Sequence, residues 1–170
     1  MPWQHFAIFS EDHGKTWHRG DFVPGNEGGD ESQLVELADG HLLIDMRQGG
    51  KGTHRWTSRS SDGGKTWAKC RPGLDVTPVC CAIERWSLQS AGDDKNRILW
   101  TGPHGPGRSN LVARVSYDEC ETFGPEHMLY EGSAAYSDIT LLKDKSAGIL
   151  FERDKYHRIS FIVLAPGSLD

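Results

Sequence analysis

An all-β fold of short strands and tight turns is what this sequence predicts, and three observations predict it. The chain places 20 glycines and 8 prolines in 170 residues, a density of turn formers that long helices do not tolerate. No stretch of about ten residues or more carries a convincing 3.6-residue apolar period. One octapeptide pattern recurs along the chain, and repeats at a fixed spacing decide architecture before any single segment does.

The repeat reads Ser10-Glu11-Asp12-His13-Gly14-Lys15-Thr16-Trp17 and again Ser60-Ser61-Asp62-Gly63-Gly64-Lys65-Thr66-Trp67. Both fit S-x-D-x-G-x-T-W. A third copy, Ser116-Tyr117-Asp118-Glu119-Cys120-Glu121-Thr122-Phe123, keeps Ser, Asp and Thr but has Cys120 for Gly and Phe123 for Trp. The central aspartates are 50 and then 56 residues apart (62 − 12 and 118 − 62). The Asp can accept hydrogen bonds from turn amides, and the Gly takes a positive φ at low cost. The Thr favours re-entry into a strand, and the Trp can bury its ring under the turn. Each copy is therefore expected to be a hairpin turn with a structural role.

Strand candidates flank the turns. Phe6 to Phe9 enters the first and Leu111 to Val115 the third, with Leu42 to Met46 and Arg97 to Trp100 between them. Ile139 to Leu142, Gly148 to Phe151 and Ile159 to Leu164 follow, and Lys143-Asp144-Lys145-Ser146 makes a polar turn. Short strands with a repeat of about 50 residues predict four-stranded propeller blades. At that length the chain holds about three to three and a half blades, fewer than the four to eight that close a ring. It is expected to be part of a larger propeller, with open blade edges that invite association.

Composition narrows the function. With 36% hydrophobic and 25% charged residues the chain can build a core, and its net charge of −5 gives no general attraction to nucleic acid or anionic membranes. No apolar run is long enough to span a bilayer. Cys70, Cys80, Cys81 and Cys120 form no CxxC pair or ligand cluster, so structural zinc is not expected. Cys80 and Cys81 read as small apolar fillers beside a strand. The eight histidines are scattered, and no metal or organic cofactor is expected.

Four further segments are more specific. Glu31 precedes Val35-Glu36-Leu37-Ala38-Asp39-Gly40 and a strand ending in Arg47, 16 residues on (47 − 31). Glu27 competes for the glutamate position with a poorer spacing. Gly107-Arg108-Ser109-Asn110-Leu111 runs into the third repeat, where Arg114 is the rival arginine. Ala135-Tyr136-Ser137-Asp138 and Gly148-Ile149-Leu150-Phe151-Glu152 follow in order. With the octapeptides as Asp-boxes, this succession along nearly the whole chain resembles the sialidase (neuraminidase) family. The resemblance implies the C-terminal portion of a six-bladed sialidase β-propeller over residues 1–170, its N-terminal blades absent.

The resemblance also implies roles. Arg47 and Arg108 would be two of three arginines holding the carboxylate of sialic acid, for which planar guanidinium groups are suited. Tyr136 would be the nucleophile and Glu31 its base, since a phenol with pKa near 10 needs one. The outcome would be retention of configuration in removing a terminal α-linked sialic acid from a sialylated glycan. Glu152 would orient an arginine. The family's early arginine, in an F-R-I-P-like motif, and its acid/base aspartate are not found in these residues, so the chain alone is expected to show negligible turnover. A missing N-terminal half, or self-association through open blade edges, would be its other partner. The alternative is a non-catalytic Asp-box propeller that binds glycan or protein. Two others are a glycosidase using paired carboxylates such as Glu31 and Asp138, and a purely structural remnant.

Overall fold

The computed structural model describes residues 3–25, 28–49 and 53–170. The chain forms two compact units, residues 1–78 and 79–170. Among the described residues no α-helix occurs, and the single helical element is a one-turn 3₁₀ segment at Gln89–Ala91. Among the described residues no helix is long and apolar enough to cross a membrane.

The first unit contains a two-stranded antiparallel sheet, β1 (Ile8–Phe9) and β2 (His18–Arg19). It also holds a four-stranded antiparallel meander of β3 (Gly29–Glu36), β4 (Leu42–Gln48), β5 (His54–Ser60) and β6 (Arg71–Asp75). The second unit is one sheet of β7 (Ala82–Ser87), β8 (Arg97–Pro103), β9 (Ser109–Ser116), β10 (His127–Leu141), β11 (Ala147–Arg153) and β12 (Arg158–Leu164) in sequence order. Its 15-residue strand β10 serves twice: His127 to Ser133 pairs with β9, and Ala134 to Leu141 pairs with β11. Strands β7 to β10 thus make a complete four-stranded blade, and β10 to β12 make three strands of the next.

The four-stranded and the six-stranded sheet each pack into a core. Trp86, Leu99, Leu111, Val115, Ile149 and Phe151 meet in the second unit, and Val23, Ile44, Met46, Trp67 and Cys70 in the first. Cys81 is fully buried beside β7, as expected of an apolar filler. Strands β4, β8, β9, β11 and β12 match the sequence reading, whereas β3 and β7 were not read as strands and β1 is shorter than the expected Phe6 to Phe9. Strand β5, His-Arg-Trp-Thr-Ser-Arg-Ser, was not anticipated, because it buries Arg55 instead of an aliphatic side chain. The Arg55 Nε donates to both Asp45 oxygens at 2.7 Å, with the pair 1% and 5% exposed. Strand β6 carries Pro72 and Gly73, residues tolerated on an edge strand and uninformative as sequence.

All three Asp-boxes close by the same clasp, each between the third and fourth strand of a blade or its two-stranded equivalent. Ser10 Oγ donates to Asp12 Oδ1 (2.8 Å) and accepts from the Gly14 amide (2.7 Å). The Thr16 amide donates to Asp12 Oδ1 (2.8 Å) and its hydroxyl to Oδ2 (2.7 Å). Ser60, Asp62 and Thr66 repeat these bonds, as do Ser116, Asp118 and Thr122. Two consecutive residues are left-handed in every copy: His13 and Gly14 (φ 60° and 83°), Gly63 and Gly64 (74° and 86°), Glu119 and Cys120 (59° and 65°). The ring packing expected of the tryptophan holds for Trp67, which joins the four-stranded core. It fails for Trp17, which is 60% exposed on a two-stranded ribbon with little surface to cover it.

The clasp holds its carboxylates far down the acid scale. Asp12 and Asp62 are lowered to about 2, the first mainly by the Thr16 amide and the second mainly by the Thr66 hydroxyl. A depressed carboxylate adds stability in full above its unfolded pKa and loses it as pH falls through the folded value. Urea unfolding midpoints are therefore expected to drop between about pH 4 and about pH 2, and Asp62→Asn should make that drop smaller. Asp45→Ala should cost about 3–5 kcal/mol by removing the carboxylate that meets a buried guanidinium, read as the change in denaturant midpoint at neutral pH.

Candidate functional site

In the first unit, Glu31 and Arg47 lie on the neighbouring strands β3 and β4. Gly29 pairs with Gln48 and Ser32 with Met46, so β3 advances three residues where β4 advances two. The extra residue is a β-bulge at Asp30–Glu31, which breaks the alternation of faces. Both carboxylates engage Arg47. Its Nη1 donates to Glu31 Oε2 at 2.6 Å, and its Nε lies 3.2 Å from Asp30 Oδ2. Burial, and then a hydrogen bond shared with Glu31, push the Asp30 carboxyl up, while the Arg47 charge pulls it down without prevailing.

Asp30 and His5 were not singled out from the sequence. The Asp30 amide donates to His5 Nε2 at 3.2 Å, and His5 is buried. Its pKa is lowered chiefly by that burial, because desolvation disfavours the charged ring. Gly29 permits the approach: a Cβ there would lie 2.6 Å from His5 Nδ1. Trp3, Gly28, Gly29, Asp30 and Gly49 line an open hollow beside this group. Glu27, the competing glutamate, lies outside the described residues.

In the second unit, Tyr136 sits on a bulge of the same kind. Ala134 pairs with Arg153 and Ser137 with Phe151, three steps on β10 against two on β11. The extra residue falls at Ala135–Tyr136. The Tyr136 amide donates to Glu152 Oε2 at 3.3 Å. Among the described residues this is the contact of Glu152, and no arginine pairs with it. Arg108 precedes β9, and its carbonyl accepts from the Ala134 amide at 3.1 Å. Its guanidinium carbon lies 5.5 Å from the Tyr136 ring centroid, within range of a cation–π contact.

Arg108 differs from every other arginine of residues 79–170. Arg85 pairs with Glu119, Arg97 with Asp94 and Asp170, Arg114 with Glu126, and Arg153 and Arg158 with Asp154. Arg108 has no carboxylate partner among the described residues. It is exposed, and its Nη1 donates to the neutral hydroxyl of Tyr156 at 2.8 Å. Tyr156 was also missed, since a tyrosine in a polar turn carries no sequence signal. The rival Arg114 is turned to Glu126, 2.5 Å away. The second unit thus brings Arg108, Tyr136 and Glu152 together, and the first brings Glu31 to Arg47.

Antiparallel four-stranded blades with a Ser–Asp–Thr clasp on the last hairpin define an Asp-box β-propeller. The chain belongs to the sialidase family of BNR-repeat proteins: residues 1–150 match the BNR repeat-like domain. A sialidase of Micromonospora viridifaciens is 30% identical over 88% of this chain and 24% of its own length, and one of Bacteroides fragilis 28% identical over 88% and 28%. A Hadza microbial sialidase of known structure superposes with a TM-score of 0.79 at 28% identity, over 94% of this chain and 31% of its own. The chain thus spans about a quarter of the length of the curated relatives it matches.

His5 provides a check on the first-unit geometry. Its imidazole should be less than half protonated at pH 6.5, where an exposed histidine is half protonated, as read from its side-chain NMR shifts. Stability should fall as pH drops from about 6.5 through its lowered value, since the unfolded state then binds the extra proton. A His5 titrating at or above 6.5 would contradict the buried acceptor placed on the Asp30 amide.

Proposed function

We propose that this chain carries part of the catalytic site of an exo-α-sialidase, a retaining glycoside hydrolase acting on sialylated glycans. The observation that carries the proposal is the uncompensated guanidinium of Arg108 lying against the ring of Tyr136. Sialic acid bears a carboxylate on its anomeric carbon. A cation without an internal anion is free to receive that group.

In this scheme Arg108 holds the substrate carboxylate beside Tyr136, and the family resemblance implies the same role for Arg47. The Tyr136 oxygen attacks the anomeric carbon as its phenolic proton passes to a carboxylate base, for which the family resemblance implies Glu31, and the glycosidic C–O bond breaks. The leaving oxygen takes a proton from an acid that the family resemblance puts at an aspartate not found in these residues. Water then cleaves the glycosyl-tyrosine, and two inversions give retention. A tyrosine is suited to the role because a carboxylate nucleophile would be repelled by the substrate's own charge, in contrast to the usual two-carboxylate scheme. Glu152, accepting from the Tyr136 amide, fixes the bulge that presents the nucleophile.

Binding tests this without requiring turnover. N-acetylneuraminate should perturb the NMR spectrum of the chain, while galactose, which lacks a carboxylate, should not. Arg108→Ala should weaken binding about tenfold or more, the effect of losing a charge-assisted hydrogen bond. A double-mutant cycle with Arg47→Ala asks whether both guanidiniums act on one ligand. Equal binding of galactose, or unchanged affinity in Arg108→Ala, would overturn the proposal. On a fluorogenic sialoside, whatever turnover the chain supports should vanish in Tyr136→Phe.

A further inference from the structure

Tyr156 lies in the turn between β11 and β12, on a backbone that tyrosine rarely adopts. Asp154, Lys155 and Tyr156 are all left-handed, with φ of 53°, 54° and 70°. Consecutive left-handed residues with side chains are sterically costly and persist only where the surroundings hold them. Here the surroundings do. Tyr130 Oη donates to Asp154 Oδ1 at 2.9 Å and Arg153 Nη1 to Asp154 Oδ2 at 3.0 Å. The Lys155 amide donates to Ser133 Oγ at 3.0 Å and the Asp154 amide to the Ser133 carbonyl at 3.3 Å.

Tyr130 and Ser133 belong to β10, the strand that bears Tyr136. The Arg108 carbonyl is tied to the same strand through Ala134. Arg108, Tyr136 and Tyr156 are therefore all referenced to one strand. The guanidinium carbon of Arg108 lies 5.5 Å from the Tyr136 ring centroid and 5.8 Å from that of Tyr156, while the Tyr156 hydroxyl accepts from its Nη1. A carboxylate in the place of this phenol would hold Arg108 equally well but would cancel its charge. A neutral acceptor fixes the direction and leaves the charge.

We propose that Tyr156 is a positioning residue: its hydroxyl and ring orient the Arg108 guanidinium for an anionic ligand without neutralising it. The role depends on Arg108 being a carboxylate-binding group, as proposed for it. Arg108 would otherwise be a long exposed side chain with several rotatable bonds, and ordering it would fall on the ligand. Tyr156 carries that ordering in advance.

The test uses the full chain labelled with ¹⁵N and ¹³C arginine, the Arg108 side-chain signals being assigned by their loss in Arg108→Lys. In Tyr156→Phe, which keeps the ring and removes the acceptor, the Arg108 guanidinium signals should shift and its η-protons exchange faster with water. The signals of Arg85, Arg97 and Arg114 should stay in place, which also reports that the variant is folded. N-acetylneuraminate should bind about three- to tenfold more weakly, the scale of one neutral hydrogen bond. Tyr156→Leu, which also removes the ring, should weaken it further. Unmoved Arg108 signals in Tyr156→Phe overturn the inference whatever happens to binding. Moved signals with unchanged affinity overturn it too, provided Arg108→Lys does lose binding. If Arg108→Lys binds like the wild type, the carboxylate role of Arg108 is what fails, a result distinguished by Arg108 signals that still respond to Tyr156→Phe.

Discussion

A β-strand turns successive side chains to opposite faces, and inserting one residue opposite a regular neighbour breaks that alternation at one point. The candidate residues of each unit depend on this device. On β3 the inserted residue lets Asp30 and Glu31, adjacent in sequence, address the same guanidinium. On β10 it lies beside Tyr136 and brings the Tyr136 amide to Glu152. Regular pairing would send Asp30 and Glu31 to opposite faces.

The two guanidiniums are held by different chemistry. Arg47 is partly buried between two carboxylates, one of which is pushed up in pKa by burial and by its neighbour. Arg108 is exposed and held by phenols. Burial makes a bare charge expensive, so Arg47 needs its anions. Solvent meets that cost for Arg108, and two aromatic rings are enough to restrain it. Among the surrounding arginines, Arg55 shows the other extreme, with a guanidinium taken fully out of water and fixed on Asp45.

Much of the fold was legible in the sequence, because glycine-bearing turns and a 50-residue spacing are local signals. The aliphatic strands β4, β8, β9, β11 and β12 could be read directly. Strand β5 could not, since a buried Arg55 looks like a surface residue until its partner on β4 is known. Ordered motifs singled out Glu31, Arg47, Arg108, Tyr136 and Glu152, and within their units Glu31 lies beside Arg47 and Tyr136 beside Arg108. His5, Asp30 and Tyr156 were invisible for a common reason. Each matters through a contact between distant segments: His5 with Asp30, Asp30 with Arg47, and Tyr156 with Arg108 across 48 residues. No local pattern encodes such contacts.

The third Asp-box has Cys120 in place of glycine and Phe123 in place of tryptophan, yet Ser116, Asp118 and Thr122 reproduce the Ser–Asp–Thr bonds of the other two. The fastening therefore resides in three polar side chains at fixed offsets, and glycine only relaxes the backbone between them. Degenerate copies of this turn in other chains would escape any search keyed on Gly and Trp. A pattern of Ser, any residue, Asp, three of any kind, then Thr would recover them, and would count blades where the conventional signature counts too few.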